Sequence, residues 1–160
     1  MKELIIGLGS NLGDRRRNIE TAIALIGEKV GTVTAVSSFA DTEPWGFESE
    51  NRFLNCAITV ADLPGSIVLP GLRMNQIISI LQSIESGFGR VRTGVYTDRA
   101  IDLDILFYGD EILNEPGLIV PHPKLHERDF VLTSLMEICP GKIHPVIGKS
   151  IRELWEEGQK

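Results

Sequence analysis

Thiols, imidazoles and long apolar runs are all scarce in this sequence. Two cysteines and three histidines stand among 160 residues, yet a chain of that length can bury a real core without disulfides or a structural metal, as one domain spanning residues 1–160. Cys56 and Cys139 sit inside the apolar runs 54–60 and 131–140 and read as small buried hydrophobes of a reducing compartment. Leu4-Ile5-Ile6 followed by glycine is too short for the apolar core of a signal peptide, and no window approaches a membrane span, so the expected location is the cytoplasm. Positive charge is in deficit as well. A net charge of -6 argues against a nucleic acid or a membrane surface as the main partner, while permitting a local basic pocket for an anionic small molecule. Internal repeats, low-complexity tracts and linkers are also lacking, and a hydrophobic fraction of 42% fits a globular protein.

Against that acidic background, three arginines are concentrated in one place. Arg90-Val91-Arg92 and Arg99 precede Ile101-Asp102-Leu103-Asp104-Ile105. In a strand, successive side chains alternate faces, so Asp102 and Asp104 point the same way about 7 Å apart while Ile101, Leu103 and Ile105 point into a core. Two like charges on one strand face repel, and a bound cation relieves them. Hard oxygen ligands with no His or Cys beside them select magnesium over zinc or copper. Arginine next to magnesium reads as a polyphosphate site, because the guanidinium fork matches phosphate oxygens. An Asp-x-Asp pair on a half-exposed strand is also commonly a solvated face.

The remaining pattern predicts a strand over 4–8, a helix through Ile19, Ala22, Ile23, Ile26 and Val30 stopped by Gly31, and a strand over 32–39. Residues 40–52, polar and containing Pro44 and Gly46, predict a long loop of the functional kind. A strand over 53–60 follows, then an amphipathic helix carrying Met74, Ile77, Ile78, Leu81 and Ile84 and ending near Gly87. Beyond the arginines the pattern predicts strands over 100–108, 111–113 and 118–120 and a helix over 127–138. Ser150 and Glu153 predict a capping box that opens a last helix. The order β-α-β-β-α-β predicts an α+β fold, a ferredoxin-like split βαβ sandwich with a mainly antiparallel sheet and a C-terminal helical extension. Two tempting motifs fail. Gly148-Lys149-Ser150 lacks the glycine that a phosphate-binding loop needs at Ile143, and Gly7-Leu8-Gly9 would place the third glycine of a dinucleotide fingerprint at Leu12. Gly7 and Gly9 are expected instead to shape a tight turn between strand and helix.

Six segments in order carry a resemblance that covers nearly the whole chain. They are Gly9-Ser10-Asn11-Leu12-Gly13, Thr42-Glu43-Pro44-Trp45-Gly46, Phe53-Leu54-Asn55, Gly89-Arg90-Val91-Arg92, Arg99-Ala100-Ile101-Asp102-Leu103-Asp104 and Val120-Pro121-His122-Pro123. Together they resemble the 6-hydroxymethyl-7,8-dihydropterin pyrophosphokinase family of folate biosynthesis, which moves the terminal diphosphate of ATP to the hydroxymethyl oxygen of the pterin and releases AMP. The resemblance implies that Asp102 and Asp104 hold two magnesium ions and that Arg90 and Arg99 act on the transferring phosphates. It places Gln82, Glu85, Arg92, Ile105, His122 and Arg128 at the nucleotide, and Thr42, Trp45, Gly46, Phe53, Asn55 and Phe130 at the pterin. A monomer working on small molecules is expected. Where the family often has Trp-Gly-Pro, this chain has Tyr96-Thr97-Asp98, and its segment 61–71 is longer than in some bacterial members.

Each of these residues has an ordinary use too. Phe53 and Phe130 could be core aromatics, Trp45 a surface lid, His122 a turn cap, and Gln82 with Glu85 a solvated helix face. Asn55 is harder to dismiss, because it shares a strand face with Phe53 and Ala57 and a buried amide without a partner costs about 1 to 3 kcal/mol. The rival functions are a catalytically silent nucleotide- or metal-binding module and a magnesium-dependent nuclease. The latter would want a basic track that an acidic chain does not offer.

Overall fold

The computed structural model describes residues 3–61, 63, 70–89 and 98–159. Its centre is an antiparallel sheet formed by β1 (Leu4–Ser10), β2 (Thr32–Val36), β3 (Ala40–Thr42), β4 (Phe53–Ala61) and β5 (Asp102–Tyr108). The strand order is β2-β4-β1-β5, and β3 continues the β2 edge along β4. Four helices pack on it: α1 (Arg15–Lys29), α2 (Pro70–Gly87), α3 (Asp129–Ile138) and α4 (Ile151–Gly158). A hairpin of β6 (Leu113–Glu115) and β7 (Leu118–Val120) stands beside β5.

Burial divides the sheet into two faces. Ile19, Ala22 and Ile26 of α1 and Met74, Ile77, Leu81 and Ile84 of α2 pack with Leu4, Ile6, Leu8, Ile58, Ile101 and Leu103 in one core cluster. Leu132 and Leu135 of α3 and Ile151 and Leu154 of α4 close on Ile5, Ala57, Leu106 and Phe107 on the opposite face. Strand β4, covered on both faces, reads as a nearly unbroken apolar run, whereas the edge strand β2 never becomes fully buried. Between Ile5 and Ile6 the register against β5 jumps from Phe107 to Ile105. Leu106 is therefore an extra residue in the ladder, and both Leu106 and Phe107 reach the second cluster.

The local signals explain the element ends. The Asp14 carboxylate accepts from the Arg17 amide at 3.2 Å and opens α1. Ser150 and Glu153 make the reciprocal pair of hydrogen bonds expected of a capping box.

Five expectations need correction. The strand expected over 32–39 stops at Val36, and the loop expected over 40–52 begins with the three residues of β3. Between them Ser37 replaces ladder pairing, donating its amide to the Ala57 carbonyl at 2.9 Å while its hydroxyl accepts from the Ala57 amide at 2.9 Å. Gly7 and Gly9 lie within β1, which runs on to Ser10, rather than in a turn. The helix expected over 127–138 is divided: Leu125–Glu127 is a 3-10 turn, Arg128 is extended at φ -112°, and α3 starts at Asp129. The strand expected over 111–113 lies two residues later, as β6, because the chain first turns with the Glu111 amide donating to the Tyr108 carbonyl. Residues 62 and 64–69, most of the long segment 61–71, lie outside the described residues, as do Arg90, Arg92, Tyr96 and Thr97.

Candidate active site

The antiparallel register sets out the site row by row. Gly9 faces Asn55 on β4 and Asp102 on β5, and Gly7 faces Ala57 and Asp104. Two glycines at the centre of these rows leave a trough on the sheet, with Asn55 and Phe53 on one bank and the two aspartates on the other. No positive backbone angle demands glycine at position 9. The requirement is space: a Cβ there would stand 2.7 Å from Asn55 Oδ1 and 3.4 Å from Phe53 Cδ1. Asn55 is held where it is, because its Nδ2 donates to Thr42 Oγ1 across the β3–β4 pair.

Asp102 and Asp104 point to the same side, as alternation predicts, with Leu103 buried beneath them. Each carboxylate has an arginine beside it. Arg99 Nη1 lies 3.5 Å from Asp102 Oδ1, and Arg128 Nη1 lies 4.0 Å from Asp104 Oδ2. Both guanidinium groups are over nine-tenths buried as side chains, while the aspartates remain partly open. Aromatic rings support the cations. Arg99 sits over Phe53 at 5.2 Å and Phe47 at 5.9 Å, and Arg128 sits over Trp45 at 4.3 Å. Gly46, at φ 84°, turns the chain between Trp45 and Phe47, so that one ring meets Arg128 and the other meets Phe53 edge-on at 6.1 Å. The extended backbone of Arg128 that divides the predicted helix thus marks the point where this side chain enters the site.

Two hollows among the described residues share one residue. The first, over the trough, is lined by Thr42, Trp45, Phe53, Asn55, Phe130, Arg99 and Arg128 with both aspartates. The second lies between α2, β5 and the β6–β7 hairpin and is lined by Gln82, Ile105, His122, Ile119, Pro123 and Asp104. Asp104 borders both.

His122 is neutral in this setting. Burial, followed by the neighbouring Arg128 charge, holds its pKa down to about 4. Its Nδ1 accepts from the Lys124 amide at 3.1 Å. The neutral ring therefore carries its proton on Nε2, leaving one donor.

The sequence-predicted residues separate by position. Thr42, Trp45, Phe53, Asn55 and Phe130 meet in the first hollow, as expected for one group. Gln82, Ile105 and His122 meet in the second. Arg128, grouped with the nucleotide from the resemblance, lines the first hollow beside Asp104. Glu85 does not belong to a solvated face. It is 2% exposed and its carboxylate accepts from the Leu103 amide at 3.0 Å, which anchors the strand residue between the two aspartates. Four participants were given no role in the site from the sequence: Gly7 and Gly9, whose part is legible only once the register is known, and Asn11 and Asp98, whose hydrogen bonds join segments more than eighty residues apart.

Among the described residues, no three His, Cys, Asp or Glu side chains cluster as a self-sufficient metal cage. Two carboxylates, flanking arginines and an adjoining cleft are instead the residue types that the phosphate-transfer class brings together. Residues 5–140 match the family model described as 7,8-dihydro-6-hydroxymethylpterin-pyrophosphokinase, and the chain belongs to that family. Similar curated proteins include the 2-amino-4-hydroxy-6-hydroxymethyldihydropteridine pyrophosphokinase of Porphyromonas gingivalis, 38% identical over 149 residues covering 91% of this chain and 95% of that one. The protein of the same name from Bacillus subtilis is 40% identical over 135 residues, 84% of this chain and 76% of that one. Among solved structures, wild-type Plasmodium falciparum HPPK-DHPS with pterin and p-hydroxybenzoate shares the fold at a TM-score of 0.74 and 17% identity, over 98% of this chain. The chain spans 42% of that longer protein.

Proposed function

We infer that this protein transfers the terminal diphosphate of ATP to the hydroxymethyl oxygen of 6-hydroxymethyl-7,8-dihydropterin, releasing AMP, in folate biosynthesis. Family membership supports the activity. The observation that carries the geometric reading is the meeting of two hollows at Asp104. A flat ring lodged in the first hollow, among Trp45, Phe53 and Phe130 and edged by Asn55 and Thr42, would hold its hydroxymethyl oxygen toward the aspartates. A nucleotide entering through the second, past Gln82, Ile105 and His122, would bring its phosphates to the same point from the other side.

In the transfer, the hydroxymethyl oxygen forms a bond to the β-phosphorus as the bond between that phosphorus and the α-β bridging oxygen breaks. AMP leaves with the electron pair, and the hydroxyl proton passes to solvent. Positioning and charge neutralisation account for most of such catalysis. Asp102 and Asp104 fit magnesium, being hard oxygen donors two residues apart on one strand face, and they would hold two ions with the phosphate oxygens. When bound, magnesium neutralises phosphate charge and makes the β-phosphorus a better electrophile. Arg99 and Arg128 already face the aspartates and would turn to the phosphates. Arg90 and Arg92, outside the described residues, keep the phosphate roles that the resemblance gives them.

The strand order, with α1 and α2 on one face, supports the ferredoxin-like split βαβ reading, with α3 and α4 as an added layer. Cys56 and Cys139 are free thiols, which supports a reducing compartment such as the cytoplasm.

The deciding experiment incubates the protein with ATP, magnesium and the dihydropterin and identifies the adenine nucleotide formed. AMP is expected. ADP would make the protein an ordinary kinase, and ATP binding without turnover would make it a silent module.

A further inference from the structure

Asn11 and Asp98 form a knot that the reaction described above does not use. Asn11, at the end of β1, is 3% exposed and has its polar groups engaged. Its amide donates to the Arg99 carbonyl at 3.0 Å, and its Oδ1 accepts from the Arg99 amide at 2.6 Å. Its Nδ2 donates both to Asp98 Oδ1 at 2.8 Å and to the Asn51 carbonyl at 3.1 Å. Asn51 Nδ2 in turn donates to the second oxygen of Asp98 at 2.9 Å, and the Asn51 amide donates to Ser49 Oγ at 3.1 Å. Hydrogen bonds from Ser49, then from Asn11 and Asn51, with the Arg99 charge nearby, hold the Asp98 carboxyl below the usual carboxylate range.

Three separate stretches of chain meet here. They are the end of β1, the segment around Asn51 that follows Trp45 and Phe47, and the start of the Arg99 segment. Asn11, Asn51 and Asp98 themselves lie outside the strands, and beyond the bond from the Asn11 amide to the Arg99 carbonyl it is side chains that connect them. Removing this carboxylate would release the Asn51 side chain and one Nδ2 bond of Asn11 together. The Asn11 side chain that accepts from the Arg99 amide would then be less firmly held, which loosens the support that fixes where the guanidinium emerges between Asp102 and the Phe47 and Phe53 rings.

We propose that Asp98, acting through Asn11, is a positioning residue that couples the aromatic segment of the pterin side to Arg99 on the phosphate side. The coupling rests on the functional reading given above. It implies that filling the pterin hollow and setting the arginine are one event rather than two, since the same carboxylate holds both segments.

Asp98→Ala tests it in two ways. In the ligand-free protein, the Arg99 amide should exchange with solvent about tenfold faster, because its acceptor on Asn11 keeps only one of its two Nδ2 bonds. In turnover, kcat should fall by about tenfold or more with the KM for ATP changed less than about twofold, the pattern of a misplaced transition-state group rather than of lost ground-state binding. The Asn51→Asp/Asp98→Asn double variant exchanges donor and acceptor between the two positions and should bring both quantities back to within about threefold of wild type. Unchanged Arg99 exchange in Asp98→Ala would overturn the proposal, and so would a kcat loss that the double variant fails to restore. If wild-type protein released no AMP, the functional reading would fail. The exchange measurement would still decide whether Asp98 holds Arg99.

Discussion

Gly9 lies directly across the β1–β4 ladder from Asn55, so close that a Cβ on Gly9 would stand 2.7 Å from the Asn55 amide oxygen. Asn55 cannot yield freely, because rotating it away would break its bond to Thr42. Gly9→Ala is therefore expected to destabilise the fold by only about 1–3 kcal/mol, the usual range for overpacking, while displacing the Asn55 amide that the proposed function sets against a ring edge. Pterin affinity should weaken by at least about tenfold, with ATP-analogue affinity nearly unchanged. Titrating the pterin against the complex with a non-hydrolysable ATP analogue checks it. Equal weakening of both ligands would show that the glycine serves the sheet rather than the pocket.

Asp102→Asn and Asp104→Asn should each lower turnover by about 100-fold or more, since each removes a charge that phosphate-bound magnesium would require. The structure adds a stability effect. Each aspartate faces a buried guanidinium, Arg99 or Arg128, and a buried cation deprived of its counter-charge is costly. Thermal midpoints should fall, and added magnesium should restore neither midpoint nor rate. Near-normal turnover in either variant at moderate magnesium would remove the metal-site reading.

Much of this arrangement was legible in the sequence because alternation is a strong rule. The placement of Asp102 and Asp104 on one face over Leu103, and of Phe53 and Asn55 on one face of β4, follows from a period of two. The spacing of Ile19, Ala22 and Ile26 likewise identified the buried side of α1. Failures occurred where tertiary pairing overrode local signals. Gly7 and Gly9 look like turn residues until β4 and β5 are laid beside them and a trough requires their small size. Residues 40–42 look like loop because their strand is short and polar, and β4 alone makes it a strand. Arg128 interrupts a helical pattern for the sake of a contact with Trp45 and Asp104 that no local window contains. Asp98 acquires its partners from Asn11 and Asn51, 87 and 47 positions away.

Arg99→Ala should act chiefly on kcat, by about 100-fold or more if the guanidinium meets charge that develops only in the transition state. It should also loosen the aromatic segment, because Arg99 supports both Phe47 and Phe53. Steady-state kinetics on both substrates, together with near-ultraviolet circular dichroism of the ligand-free variant, would separate these effects. A change confined to the KM for ATP would assign Arg99 to ground-state binding.

His122 gives a prediction with a definite sign in pH. Its folded-state pKa is about 4, against an ordinary value of 6.5. Between those values the unfolded chain binds a proton that the folded protein refuses, so the histidine lowers stability as the pH falls from about 6.5 toward 4 and costs nothing above that window. His122→Asn should flatten this part of the stability profile without changing it near pH 8. A direct check follows the His122 ring protons by NMR: they should stay at their neutral positions from pH 7 to about pH 5 and move only nearer pH 4. The Arg128→Ala variant separates the causes. Arg128 stands second to burial among the groups that depress this pKa, so its removal should shift the transition upward but leave it below 6.5. A His122 that titrates at its ordinary value in the wild-type protein would mean that the ring is hydrated and charged at pH 6. The cleft beside Asp104 would then present a cation to the nucleotide rather than a single neutral Nε2 donor.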